Sequence, residues 1–134
     1  MDFSADTSCF VCGPTNPIGL HAVFHREGEE YVTTVAFTRE FQGYAGIVHG
    51  GLLATLLDEV MARYVWELVD GPAATAKMEV TFRKPAPTEQ PITFRGRITN
   101  QRGRVYEAAA TATLADGTLL ADATSVVIEL RHAK

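Results

Sequence analysis

The sequence predicts an α+β fold in which a six-stranded antiparallel sheet wraps one long apolar helix, in the order β-β-α-β-β-β-β. Three observations predict it. The stretch GGLLATLLDEVMARYVWELV, residues 50–69, has helical periodicity with almost no polar face. Six other stretches alternate apolar and polar residues as half-buried strands do. The last three of these follow one another across short turns, which implies an antiparallel meander.

Each element has its local reason. Residues 1–18 hold Gly13, Pro14, Asn16 and Pro17 and read as a turn-rich lead-in to a single domain spanning 1–134. Leu20–Arg26 and Tyr31–Phe37 alternate on either side of REGEE and form a hairpin. TREFQGYAGIV, residues 38–48, is a loop carrying Gly43 and Gly46. In the helix, Leu53, Leu56, Leu57, Val60, Met61, Tyr64 and Leu68 share one broad face, Leu52 widens it, and Asp70-Gly71-Pro72 stops the element. Residues 75–84 place Ala76, Met78, Val80 and Phe82 on one face. Residues 92–99 place Ile92, Phe94 and Ile98 opposite Thr93, Arg95 and Arg97. Residues 104–115 and 118–130 flank the turn Asp116-Gly117, and Ala108, Ala110 and Ala112 suit a helix lying close.

Composition narrows the function. With 46% apolar and 21% charged residues, this is an ordinary globular composition. A formal net charge of -4 argues against nucleic acid as a partner. No apolar run is long enough to span a bilayer, and the first twenty residues do not read as a secretion signal, so the expectation is a cytoplasmic protein with Cys9 and Cys12 reduced.

The helix carries the candidate chemistry. Gly50 and Gly51 would expose the free N–H groups of a helix N-terminus, which can stabilise a developing oxyanion; the alternative is a tight entry into the helix. Asp58 sits at the edge of the apolar arc beside Ala54, Met61, Ala62 and Val65. Partial desolvation there should raise its pKa and make it a better base or nucleophile. The alternative is a structural acid paired with Arg63. Glu59, on the opposite side, reads as an ordinary surface acid.

HGGLLATLLDEVM (49–61) resembles the central motif of the hot-dog-fold acyl-CoA thioesterases of the PaaI type. CFVCGPTNPIGL, FQGYAGIVHGG and FRKPAP resemble the subgroup with a Cys-x-x-Cys lead-in, and together these motifs cover nearly the whole chain in order. The resemblance implies the hot-dog fold. It places Asp58 at the catalytic carboxylate, Gly50 at the N–H that polarises the thioester carbonyl, His49 at the motif histidine and Thr75 at a water-placing hydroxyl. Strand alternation turns Thr75 away from the face of Met78 and Phe82, so its place depends on the start of its strand. Relatives often carry asparagine where this chain has Gly43; Gln42 is the neighbour that could reach the same site.

Two further groups stand out. Cys9, Cys12, His21 and His25 have a zinc-like order, but His21 and His25 would lie about 13 Å apart on one strand, too far to share an ion unless the strand bends. The expectation is therefore no metal, with the thiols packing the N-terminal loop. Half of the chain's 12 basic residues are Arg83, Lys84, Arg95, Arg97, Arg102 and Arg104. Arg83 and Lys84 are the candidates for holding coenzyme A phosphates, the rest reading as a solvated sheet face.

The leading reading is a thioesterase acting on acyl-CoA, without metal or redox cofactor and with coenzyme A entering as part of the substrate. Its binding residues would be Gly51, Gln42, Arg83 and Lys84. Gly50 and Asp58 are eight positions apart, hence about 12 Å along one helix, so one chain cannot supply both to one carbonyl. A homodimer with shared sites follows, and a homotetramer is compatible. Two other classes stand beside it: a non-catalytic acyl-CoA-binding module, which Gly43 favours and Asp58 opposes, and an acyl-thioester dehydratase or hydratase, for which no second acid–histidine pair is evident.

Overall fold

The computed structural model describes residues 8–130. Strands β1 (His25–Glu27), β2 (Glu30–Ala36), β3 (Ala73–Phe82), β4 (Pro91–Arg102), β5 (Val105–Leu114) and β6 (Leu119–Glu129) form one antiparallel sheet. Their order across it is β1-β2-β4-β5-β6-β3. Helix α1 (Gly50–Val69) lies across one face and touches β2 through β6. This is the hot-dog arrangement, with β4, β5 and β6 as the expected meander. No helix of the described residues is long and apolar enough to cross a membrane.

The helix is seated unusually deep. Leu56, Leu57, Val60, Met61 and Val65 are wholly inaccessible. Ala108, Ala110 and Ala112 line β5 beneath it as expected, all buried. On β4 the same layer holds Gly96, where a Cβ would stand 2.2 Å from the carbonyl oxygen of Val60. Only glycine permits that approach of helix backbone to sheet.

Three details differ from the sequence reading. The first strand begins at His25, not Leu20, because the preceding backbone bonds elsewhere: Leu20 N–H donates to Phe10 O at 2.9 Å and Ala22 N–H to Val11 O at 2.8 Å. The lead-in thus fills the place of a longer hairpin and buries Val11 in the core. At the far end of α1, Leu68 is 42% exposed and Val65 is buried in its stead, within a second small core with Tyr106 and Val127.

The third difference is a β-bulge in β3. Thr75 pairs with Val127 and Lys77 with Val126, leaving Ala76 extra. One added residue reverses the phase of the side chains. Ala76 therefore lies exposed, whereas Met78 and Val80 turn toward the core as expected. Thr75, before the bulge, is partly buried, and the bulge lets it share the inward side with them. Simple alternation could not achieve that.

Candidate active site

Asp58 lies half-buried in the middle of α1, and the bulge brings Thr75 to it: Thr75 Oγ1 donates to Asp58 Oδ1 at 2.6 Å. A hydrogen bond to a carboxylate at this length is of the strong, charge-assisted kind. The pairing of Asp58 with Arg63 is not formed. Arg63 instead donates from Nε to Tyr31 OH at 3.0 Å and from Nη1 to Cys12 Sγ at 2.8 Å, with its guanidinium over the Phe24 ring.

The residue beside the acid was misread in sequence. Glu59 is half-buried rather than a surface acid, and that burial, reinforced by the adjacent Asp58 charge, pushes its carboxyl above the ordinary range against the pull of Arg63. The lead-in, whose docking the sequence pattern did not show, lies near enough that Glu59 acts electrostatically on Cys9 and Cys12.

The helix N-terminus is built by His49. It is the N-cap, and its Nδ1 accepts the Gly51 N–H at 2.9 Å. A backbone N–H can only donate, so Nδ1 is unprotonated and the neutral ring carries its proton on Nε2. The cap occupies Gly51 and leaves the Gly50 N–H without a partner among the described residues. Gly50 is also where an aromatic ring closes in: a Cβ there would lie 3.3 Å from Phe82.

A cavity of about 600 Å³ opens at this end of α1. Gly43, Tyr44, Ile47, Val48, His49, Gly50 and Leu53 line one part of it, and Phe82 to Ala86 the other. The two parts are tied by Val48 N–H donating to Ala86 O at 2.8 Å. Most of these walls were not picked out in sequence; the FRKPAP run, whose prolines end β3 and turn the chain back beside the loop, was the available signal.

The expected binding residues divide. Arg83 and Lys84 reach the cavity wall, but the Arg83 guanidinium is held by Asp122 at 2.8 Å. That hydrogen bond, with the carboxylate charge, raises the Arg83 pKa. Gln42 uses its Oε1 to accept Gly46 N–H at 2.9 Å, bracing the loop instead of lining the cavity. Arg95 pairs with Glu27 and Glu30 on the sheet's other face. His21 adopts a positive φ of 51° with its ring on Asn16 O, and the His25 ring meets Glu27. Among the described residues no three His, Cys, Asp or Glu side chains are grouped as metal ligands.

A long helix wrapped by an antiparallel sheet, with a capped glycine N-terminus and an internal acid, defines a class of fold and site. Comparison with known proteins gives the family: residues 45–121 match the family model of the thioesterase superfamily, and the chain belongs to that superfamily. It is similar to mouse acyl-coenzyme A thioesterase THEM4, at 29% identity over 94 residues that cover 69% of this chain and 40% of that one. The bovine THEM4 protein is 24% identical over 93% of this chain and 52% of its own length. The chain thus spans about half the length of these relatives. Among solved structures, a thioesterase-superfamily protein superposes with a TM-score of 0.80 at 27% identity, covering 92% of this chain and 60% of that one.

Proposed function

We propose that the chain hydrolyses an acyl-CoA thioester to the free acid and coenzyme A. The observation that carries the reading is the half-buried Asp58–Thr75 pair at 2.6 Å in the middle of the central helix. Superfamily membership and the name of the THEM4 relatives support the substrate class.

The chemistry follows from which atoms are free. Thr75 holds Asp58 Oδ1, leaving Oδ2 to take a proton from water or to attack the thioester carbon itself. The free N–H of a Gly50 polarises the carbonyl oxygen as negative charge develops on it. The C–S bond then breaks and coenzyme A leaves as a thiolate that takes up the proton of the attacking water. If Asp58 attacks directly, a water then hydrolyses the acyl–Asp58 anhydride to free the acid. His49, neutral and capping the helix, keeps that N-terminus in place.

Asp58 and Gly50 of one helix are about 12 Å apart along its axis, whereas both must come within roughly 3 Å of the reacting group. The second helix belongs to a second copy of the chain, and two-fold symmetry produces two equivalent sites. Lys84, with no ion-pair partner among the described residues, is the better placed of the two cations for a coenzyme A phosphate.

Replacing Asp58 with asparagine tests the reading. The amide oxygen still accepts from Thr75, so the fold is kept, but the group is neither base nor nucleophile. Across a panel of acyl-CoAs, kcat should fall at least ~100-fold with KM little changed. Activity within a few-fold of the parent would make Asp58 structural and favour an acyl-CoA-binding module instead.

A further inference from the structure

Cys9 and Cys12 play no part in the proposed hydrolysis, yet the fold builds a specific environment for them. Gly13 N–H donates to Cys9 O at 2.8 Å, closing one helical turn that puts the two cysteines on the same side. Val11 between them is buried in the core, so this turn is anchored to the domain. Cys12 Sγ accepts from Arg63 Nη1 at 2.8 Å. Arg63 is itself fixed by Tyr31 OH and the Phe24 ring. Both cysteines are only partly covered, so a small reagent can reach them. Arg63 comes five residues after Asp58, roughly 140° around α1, and the thiols therefore sit apart from the acyl site.

We propose that Cys9 and Cys12 form a redox-active dithiol that undergoes exchange with small-molecule disulfides, with Arg63 as the cation that supports the second thiolate. Cys9 is the attacking sulfur. Burial opposes its ionisation, but the N–H groups of Cys12 and Val11 and the Cys12 thiol outweigh it and hold Cys9 below the ordinary thiol value. Cys12 is pushed up, by burial first and then by its bond to Cys9, while Arg63 pulls it down and Glu59 pushes both sulfurs up. The Cys9 thiolate attacks one sulfur of the external disulfide, breaking that S–S bond and expelling one thiolate. Cys12, deprotonated beside Arg63, attacks the Cys9 sulfur and expels the second. Two electrons pass from the cysteines to the external disulfide, and the two thiol protons end on the two released thiols. One helical turn is a spacing that an S–S bond can bridge.

The test treats the protein with oxidised glutathione, quenches in acid, alkylates the free thiols and reads intact mass. The parent should lose both alkylation sites and two hydrogens, and Cys12→Ser should stop at one glutathione, carried on Cys9. Arg63→Gln should slow ring closure at least ~5-fold and let the Cys9 adduct accumulate, and Arg63→Lys should restore much of the rate. If Arg63→Gln fails to fold, the Cys12→Ser adduct and the parent mass still decide. Two thiols that still alkylate after prolonged exposure overturn the proposal, as does equal adduct formation on Cys9 in Cys12→Ser and on Cys12 in Cys9→Ser. Retention of zinc that protects both thiols in the parent overturns it as well. An unchanged closure rate in a folded Arg63→Gln chain overturns the role of Arg63.

Discussion

Gly96→Ala should test how closely the helix lies on the sheet. The new Cβ would stand 2.2 Å from Val60 O, 2.7 Å from Val60 C and 3.2 Å from Val60 Cβ. Two of these contacts are to backbone, so no rotamer change relieves them. Ordinary non-bonded separations are about 3.5 Å or more, and α1 must therefore retreat by about 1 Å at Val60. Val60 lies in a layer with no accessible surface, so the retreat loosens contacts made by Leu56, Leu57 and Met61 too. Overpacking of a core typically costs 1–3 kcal/mol, and a clash with backbone belongs at about 3 kcal/mol. For a chain of this size that lowers the melting temperature by roughly 10 °C. The assay is thermal unfolding of parent and variant at one protein concentration, since the proposed pairing of chains would make the midpoint concentration-dependent. Asp58 is only two residues from Val60, so a variant that folds should also lose activity as the Thr75 contact lengthens. A melting temperature within 2 °C of the parent would refute the close seating of the helix at Gly96.

Other outcomes follow from the site. Thr75→Val, nearly isosteric, frees Asp58 Oδ1 and should lower kcat about 10-fold with KM little changed, checked by steady-state kinetics; an unchanged kcat would remove Thr75 from the site. Lys84→Ala should raise KM for acyl-CoA but hardly affect a short acyl-pantetheine, which lacks the nucleotide phosphates, and Arg83→Ala should do less because Asp122 already holds that cation. Equal effects on both substrates would remove Lys84 from the phosphate clamp. Mixing Asp58→Asn chains with Gly50→Pro chains, in which proline at the first helical position removes the N–H, should restore about a quarter of parent activity from two inactive parents. Silence after verified subunit exchange would refute a site shared between chains.

Much of the fold was legible because it rests on periodicity. The helix and the alanine face of β5 follow from side chains that repeat at the helix and strand periods, and the helix end and the meander from the turn residues between those runs. What escaped the sequence depends on contacts distant in the chain. Leu20–Phe24 alternates like a strand, but its backbone is claimed by Phe10 and Val11, a competition local pattern does not reveal. Gly96 reads as an unremarkable strand glycine until Val60 is seen above it. Within the site, Asp58 was conspicuous as an acid among leucines, and His49-Gly50 as a helix entry. Its partner was less so: Arg63, the nearest cation along the helix, lies at i+5 and so on another side, and strict alternation turns Thr75 away, so that only the family resemblance pointed to Thr75. Glu59 looked solvated because the face it occupies is covered by the lead-in, whose own sequence carries no periodic signal.

The bulge at Ala76 has a consequence for how such chains change over time. It works as an indexing point, dividing β3 into a segment that belongs to the core and a segment that belongs to the chemistry. Gain or loss of one residue there would turn Thr75 outward while leaving Met78 and Val80 where they are. The hydroxyl beside the acid is therefore governed by chain length as well as by residue identity. A sequence without the bulge needs a gap at that point when matched through this strand, because an ungapped match assigns the hydroxyl's place to the wrong column.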